Sequence, residues 1–258
     1  MNRTCQALCI SIAVFWAPSA WAGELSDWIE AESNGSIGSL GGYYADFSLT
    51  LSPYARYYES GLRFRFTASE TLYTYPGDAA KTFVSKGQDT QTDFLLGYNF
   101  AFDRWSLLLL AGPSVTWSVQ RPGDLSPSSD TTRAGAKGVV SIYANPTEQT
   151  MLYAEGSYSS QNSAYYSQVR FGGAVLPAVY VGPEMTFSGR AVLGGLNVNS
   201  FAIGQQEPFD TGLQQWKAGG FISGLKLGPL QLGFSAGYLN DRQQGNGAYV
   251  GTSARTTF

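Results

Sequence analysis

The chain has 258 residues, a formal net charge of −3 and no histidine, and only 14 % of its residues are charged. A soluble domain usually carries about 25 % charged residues. Because nucleic-acid binding requires a basic face, the acidic balance argues against a nucleic-acid partner. After residue 22, no apolar stretch approaches the ~20 residues that a membrane-spanning helix needs.

The N-terminal segment has the organisation of a secretory signal peptide. Asn2 and Arg3 form a short positive start, an apolar run follows over residues 7–16, and small residues occupy positions 20 and 22. This pattern predicts a signal peptide over residues 1–22, with cleavage after Ala22. We therefore expect residues 23–258 to form the mature protein as a single domain.

The two cysteines of the chain, Cys5 and Cys9, both lie within the predicted signal peptide. The mature chain would therefore contain no disulfide, although it is exported. An exported protein without disulfides must be stabilised by a large core or by a closed hydrogen-bond network.

Period-two alternation recurs along the chain and predicts β-strands. Phe94, Leu96 and Tyr98 share one face of such a run, and Leu230 and Leu232 begin another. The low charge without long apolar runs is typical of a transmembrane barrel, in which every second residue faces lipid. A soluble β-sandwich would also alternate, so alternation alone leaves that fold open.

The pattern predicts about twelve strands, with ten to fourteen as the range. We place them near residues 26–33, 42–52, 61–75, 88–102, 105–120, 134–145, 149–160, 164–175, 178–188, 211–226, 229–239 and 247–258.

The lengths of the connections favour a barrel over a sandwich. Most even-numbered strands are followed by tight turns, with a medium connection at 53–60 as the exception. Longer polar loops follow odd-numbered strands, at 76–87, 121–133, 189–210 and 240–246. Short turns at one end and longer loops at the other are typical of outer-membrane barrels. The predicted fold is therefore all-β, a closed antiparallel transmembrane β-barrel.

Two Gly-Pro pairs interrupt predicted strands, at Gly112-Pro113 and Gly182-Pro183. Proline cannot donate a hydrogen bond to a sheet ladder, so each pair should mark a β-bulge or a strand end. A bulge is the expected outcome at Pro113, because apolar alternation continues beyond it.

The chain ends on Phe258 directly after a run of period-two residues. This ending resembles the closing strand of bacterial outer-membrane β-barrel proteins, in which the terminal aromatic residue is part of the signal read by the assembly machinery. The resemblance implies that the barrel assembly machinery and outer-membrane lipid are partners of this protein.

The absence of histidine removes the base used by the outer-membrane barrel enzymes, so a nucleophile would need a carboxylate or lysine instead. No cysteine remains in the mature chain to bind a metal. Asp124 and Asp130 share one loop, but scattered acids in a solvated loop explain them as well. We expect no catalytic residue, metal or cofactor.

Strand parity predicts a set of charged side chains that point into the lumen. Both signs are present, so the residues can pair across the interior. A structural polar plug, a polar conduit and a saccharide-binding lumen all remain open. The predicted lumen charges are Asp46, Arg63, Arg65, Asp93, Lys137, Glu155, Arg170, Glu184 and Arg255. The parity of Lys217 is ambiguous.

Several Gly- and aromatic-rich stretches carry a family resemblance. They are Tyr-Val-Gly-Pro-Glu at 180–184, Lys-Ala-Gly-Gly-Phe-Ile-Ser-Gly-Leu-Lys-Leu-Gly at 217–228, Phe-Ser-Ala-Gly-Tyr at 234–238, and the hairpin motifs at 96–98 and 111–113. Together they resemble the bacterial cellulose biosynthesis protein BcsS family. The resemblance implies an outer-membrane accessory to cellulose production or export in Gram-negative bacteria, with no known reaction.

The primary hypothesis is thus a non-enzymatic outer-membrane barrel that assists cellulose biosynthesis or export, with cellulose or export components as partners. The alternative is a small general porin or passive solute channel, and a histidine-independent lipid-modifying enzyme is a third hypothesis. For glucan contact, aromatic faces are the natural partners of sugar rings. The candidate tyrosines are Tyr57, Tyr58, Tyr73, Tyr75, Tyr165 and Tyr166.

Overall fold

The structure is a computed structural model that describes residues 28–76, 84–121, 129–190 and 212–258. Over these residues, twelve antiparallel strands form one sheet that closes on itself as a barrel. Within the same ranges, no helix is long and apolar enough to span a membrane. The strands are β1 (Ile29–Gly38), β2 (Tyr43–Leu51), β3 (Gly61–Pro76), β4 (Val84–Ala101), β5 (Trp105–Arg121), β6 (Ser129–Ala144), β7 (Thr150–Ser159), β8 (Ala164–Leu176), β9 (Val179–Arg190), β10 (Gly212–Leu227), β11 (Leu230–Asp241) and β12 (Gly245–Thr257).

The barrel closes where the first strand pairs with the last. The ladder between β1 and β12 runs from Glu30 opposite Thr257 to Gly38 opposite Tyr249. Phe258 extends it, because its N–H donates to the Ile29 carbonyl at 2.8 Å and its carbonyl accepts from Trp28 at 2.9 Å. The closed antiparallel barrel and its twelve strands are confirmed.

The strand boundaries differ from the sequence prediction at the ends of the polar loops. β1 continues to Gly38 rather than residue 33, β4 begins at Val84 rather than 88, and β6 begins at Ser129 rather than 134. These added residues are mostly polar and give no apolar alternation. Ladder hydrogen bonds to a neighbouring strand hold them in the sheet instead.

The connections define two ends of the barrel, which we call the short-turn end and the long-loop end. The short-turn end carries the connections at 102–104, 145–149, 177–178 and 228–229, together with the medium connection at 52–60. The long-loop end carries the connections at 77–83, 122–128 and 191–211, which lie outside the described residues. It also carries three turns, at 39–42, 160–163 and 242–244.

The wall of the barrel has unequal height at the long-loop end. β6 pairs with β5 over its whole length, but with β7 only from Lys137 to Ala144. The outer half of β6 therefore extends beyond the short hairpin of β7 and β8.

The prediction of a β-bulge at each of the two Gly-Pro pairs is wrong. Ladder pairing between β4 and β5 has the same register on both sides of Pro113, and only two residue pairs are skipped there. A Cβ on Gly112 would lie 2.0 Å from the Phe94 carbonyl oxygen, and one on Gly182 would lie 1.9 Å from that of Phe171. Because glycine lets the two backbones approach so closely, each strand continues past its proline without an inserted residue.

Register shifts occur elsewhere, in the pairings from β8 to β11. They lie between Leu213 and Gln215, between Ile222 and Leu225, and between Ala174 and Leu176. Gly224, at the second of these shifts, has a φ of 84°, which an L side chain rarely adopts.

The two faces of the sheet differ sharply in chemistry. Outward positions carry large apolar side chains that remain exposed, such as Phe94, Leu109 and Val140. Phe102 and Trp105 stack at the short-turn end with ring centroids 4.0 Å apart, as in an aromatic girdle. Many inward positions are polar, but a small apolar cluster surrounds Leu110, and Met151, Phe221 and Leu239 are also buried on the inward face.

We expect an arginine at Val140 to impair barrel assembly, because Val140 is 47 % exposed on the outward face. An arginine on the lipid face costs roughly 2–4 kcal/mol at the membrane midplane. The matched control is Ser141→Arg, since Ser141 is the next residue, faces the lumen and lies opposite Glu155. The measurement is the fraction of protein whose gel mobility shifts on heating. Equal loss in both variants would contradict the assignment of faces.

Candidate functional site in the barrel lumen

Strand register places all nine predicted lumen charges on the inward face of the barrel. For example, Asp93 is fully buried and Arg63 is 1 % exposed, whereas their strand neighbours Phe94 and Phe64 are exposed outward. Within the described residues the charges gather in clusters rather than in one network. Register also places Glu30, Glu32 and Lys217 on the inward face, which sequence reasoning missed or left ambiguous.

The first cluster lies at the short-turn end and holds the medium connection in place. The guanidinium of Arg63 donates to the backbone carbonyls of Arg56, Tyr57 and Glu59 at 3.2, 2.8 and 2.6 Å. Asn99 donates to the Glu59 carbonyl as well, at 3.1 Å. The connection at 52–60 therefore folds against the inside of the wall.

Through Tyr57, the connection at 52–60 contacts the seam, where β1 pairs with β12. Its ring lies 5.7 Å from the guanidinium carbon of Arg63 and 5.3 Å from that of Arg255. Tyr57 also hydrogen-bonds Glu30, which is 2 % exposed and forms an ion pair with Arg255. Burial, aided by the Glu30 carboxylate, raises the pKa of Tyr57, so its hydroxyl stays protonated and can donate.

The second cluster joins a carboxylate on β2 to tyrosine and amide donors. Tyr44 donates to Asp46 Oδ2 at 2.6 Å, and Asn34 donates to Asp46 Oδ1 at 3.1 Å and to Glu32 at 3.3 Å. Tyr44 is 37 % exposed although it points into the barrel, so the lumen has free space beside its ring.

A matching tyrosine–carboxylate pair lies on the other side of the lumen. Tyr153 on β7 donates to Glu155 at 2.7 Å. Glu155 interacts electrostatically with Asp46, with Tyr166 and with Arg65. β2 and β7 are five strands apart in the sheet, so these interactions cross the interior. We call the residues Glu32, Asn34, Asp46, Glu155, Tyr44, Tyr153 and Tyr166 the central cluster.

The third cluster surrounds Asp93 near the long-loop end. Lys137 pairs with Asp93 at 2.7 Å, and Ser114 and Gln91 donate to its other oxygen at 2.5 and 2.8 Å. Gln161, in the β7–β8 turn, reaches down to donate to Ser114 at 2.6 Å. The fully buried carboxylate of Asp93 thus forms an ion pair with Lys137 and accepts hydrogen bonds from two further side chains.

The fourth cluster repeats this arrangement around Glu184. Arg170 and Gln168 bind one oxygen of Glu184, the latter at 3.0 Å, and Tyr249 donates to the other at 3.1 Å. The ammonium of Lys217 lies 5.4 Å from the Tyr249 ring centroid and donates to Ser36 at 3.2 Å. Lys217 therefore faces the lumen.

The structure divides the six candidate tyrosines between several locations. Tyr73 and Tyr166 face the lumen, Tyr165 faces outward, Tyr57 lies in the first cluster, and Tyr58 is exposed at the short-turn end. The Tyr75 side chain lies outside the described residues. Sequence reasoning missed Tyr44 and Tyr153, although both stand two residues from a predicted lumen carboxylate and so share its face.

Among the described residues, no group of three or more acidic, histidine or cysteine side chains could hold a metal ion. Asp130 is the second residue of β6, and Asp124 lies outside the described residues. The lumen therefore presents hydrogen-bonding and charged groups, not a metal centre, wherever its side chains are described.

A closed antiparallel barrel with an apolar outward face and a polar interior defines the class of outer-membrane β-barrel proteins. Solved structures support this class. The transport unit of the autotransporter AIDA-I from Escherichia coli is 10 % identical, with a TM-score of 0.52 over 98 % of this chain and 97 % of that one. The beta domain of the Bordetella autotransporter BrkA is 14 % identical, with a TM-score of 0.52 over 90 % of this chain and all of that one. At these sequence identities, the similarity to both structures shows only that the fold is shared.

A sequence profile then gives the family. The profile of the cellulose biosynthesis protein BcsS family matches residues 38–205 and 189–258, so the chain belongs to this family. No curated protein matches the chain in sequence. The protein is therefore a cellulose-biosynthesis-associated barrel of the outer membrane.

We expect Arg63→Met to release the connection at 52–60, because it removes three hydrogen bonds from a buried guanidinium to that segment. Trypsin should then cut after Arg56 at least tenfold faster, since even one such bond is worth roughly 1.5–3 kcal/mol. The control is Arg65→Met, because Arg65 donates to the Thr50 side chain instead. Mass spectrometry of the fragments measures the rate, and equal rates in the two variants would contradict the role of Arg63.

We expect Lys137→Met to lower the free energy of unfolding by about 3 kcal/mol, because it leaves the buried Asp93 carboxylate without its base. The double variant Lys137→Met/Asp93→Asn should recover most of this loss, since the charge is then absent. Urea unfolding followed by gel mobility measures both, and Lys226→Met on the exposed surface is the control. A double variant as unstable as Lys137→Met would count against this account.

Proposed function

We propose that this barrel is a non-enzymatic accessory that assists cellulose biosynthesis or export at the outer membrane of a Gram-negative bacterium. The central cluster of the lumen carries the proposal. It combines aromatic rings with carboxylates and an amide, in a part of the lumen where the Tyr44 ring is exposed.

These are the groups that bind a neutral sugar chain. Carboxylates accept hydrogen bonds from hydroxyl groups, and the Asn34 amide can donate. The apolar C–H faces of a sugar ring pack against flat aromatic rings. Since the chain belongs to a cellulose biosynthesis family, a β-glucan is the sugar chain that we assign to this surface.

A non-enzymatic role fits the groups that the lumen offers. The chain has no histidine. The buried carboxylates Asp93 and Glu184 each bind a base and further donors, so protein groups already occupy their oxygens. We therefore assign these two clusters a structural role and assign no catalytic residue.

Biogenesis completes the proposal. The signal peptide at 1–22, cleaved after Ala22, would deliver a mature single domain of residues 23–258 to the outer membrane. There the barrel assembly machinery would recognise Phe258. In the structure, the backbone of Phe258 closes the seam against Trp28 and Ile29.

A passive solute channel is the second candidate function, and the free space beside Tyr44 favours it. The connection at 52–60 weighs against it, because this segment is held inside the short-turn end by Arg63 and Asn99. A twelve-stranded barrel is also narrower than the porins of 16–18 strands that keep an open aqueous channel.

A clean deletion followed by two measurements separates these functions. We expect loss or mislocation of cell-bound cellulose with unchanged uptake of small solutes. Complementation with the wild-type chain or with Tyr238→Ala, an outward tyrosine, should restore the polymer, whereas Tyr44→Ala/Tyr166→Ala should not. Normal cellulose with reduced solute uptake would reject the accessory role and favour the channel.

A further inference from the structure

The outward face of the barrel contains a groove of about 670 Å³ across strands β5 to β8. Its floor is formed at Gly138 and Gly156. Leu109 and Val140 form one wall, and Tyr158 and Tyr165 form the other. Most of its lining residues face outward by strand register, and none of them is charged.

The register of the strands explains why a groove forms here. We call a row of paired residues that crosses neighbouring strands a rung. One rung runs from Ala111 on β5 through Gly138 and Tyr158 to Tyr165 on β8, so β5 and β6 contribute its small residues and β7 and β8 its large ones. The rung on its short-turn side has the reverse order, with Leu109 and Val140 beside Gly156 and Ser167. Gly138 of the first rung and Gly156 of the second are therefore diagonal neighbours on β6 and β7. A channel runs over these two glycines, between the large side chains of the two rungs.

The two glycines leave this channel empty of protein. A Cβ placed on Gly156 would have no heavy atom within 4 Å, and one placed on Gly138 would meet only the Leu110 carbonyl oxygen, at 4.0 Å. The space therefore results from the absence of side chains and not from a strained backbone.

We propose that this groove binds one acyl chain of a membrane lipid. The groove is continuous with the apolar outward surface of the barrel, where Leu109 and Val140 are exposed. A linear chain fits a narrow apolar channel and buries methylene groups against both walls.

The position of the two tyrosines sets the direction of the lipid. Tyr158 and Tyr165 pair one rung below the β7–β8 turn, where the last pair of the hairpin is Ser159 with Ala164. Tyrosines concentrate at the membrane–water interface, with the hydroxyl at the level of the head groups. The acyl chain therefore enters the groove from the long-loop end. Its head group lies beside the part of β6 that extends beyond the β7–β8 hairpin.

The test is a lipid titration of the purified, folded barrel in detergent, read by native mass spectrometry with dioleoylphosphatidylglycerol as the probe. Gly156→Leu fills the groove and should weaken binding of the most tightly held lipid about tenfold or more, because two or more methylenes lose their contacts. Gly138→Leu should have the same effect.

The matched control is Gly173→Leu. Gly173 also faces outward, and a Cβ there also has no heavy atom within 4 Å, but Gly173 does not line the groove. It should bind lipid as the wild type does. The gel shift on heating verifies that every variant is folded.

Two outcomes would overturn the proposal. One is equal lipid affinity in the wild type, Gly156→Leu and Gly173→Leu. The other is a wild-type dimer that dissociates in Gly156→Leu without a change in lipid binding, which would identify a second copy of the chain as the occupant. Neither outcome depends on the role in cellulose production.

Discussion

Backbone N–H and C=O groups that cross a membrane need partners within the protein, and here the pairing of β1 with β12 supplies the last of them. Without that seam, two strand edges would face hydrocarbon unpaired. The seam is reinforced on the inside, where Glu30 on β1 binds Arg255 on β12 and Tyr57 contacts both. The rest of the structure depends on this closure, because it fixes which residues face lipid and which face the lumen.

Closure also explains why charged residues can be buried in this barrel. Strand parity directs them inward, and antiparallel register brings opposite charges onto neighbouring rungs. Asp93 meets Lys137 two strands away, and Glu184 meets Arg170 on the adjacent strand. Each carboxylate gains further hydrogen bonds, which offset the cost of desolvation. The central cluster differs, because tyrosines and an amide rather than bases donate to Asp46 and Glu155.

Glycine has two different effects in the same sheet. Gly112 and Gly182 allow a neighbouring carbonyl oxygen to approach, so the strands continue past the two prolines. Gly138 and Gly156 instead face open space on the lipid side and create the groove. The sequence shows a glycine in all four places, but only the packing around each one distinguishes close approach from free space.

The amino-acid sequence by itself determined the architecture. Period-two alternation and the parity of loop lengths predict a barrel of about twelve strands. Parity also places residues such as Asp93 and Glu184 on the inward face, because side-chain direction in a strand follows from position alone. The Gly and aromatic motifs further indicate the family. Strand ends in polar segments, such as Val84 and Ser129, were not predictable, because ladder pairing and not alternation holds them.

Tertiary structure alone decided which inward residues meet. Arg63 turns away from the lumen acids to bind the connection at 52–60, and Gln161 enters the lumen from a turn. Glu155 on β7 faces Asp46 on β2 only because the sheet is closed. Contacts across a lumen depend on the curvature and register of the whole barrel, and no local sequence pattern encodes the distance between strands that are not neighbours.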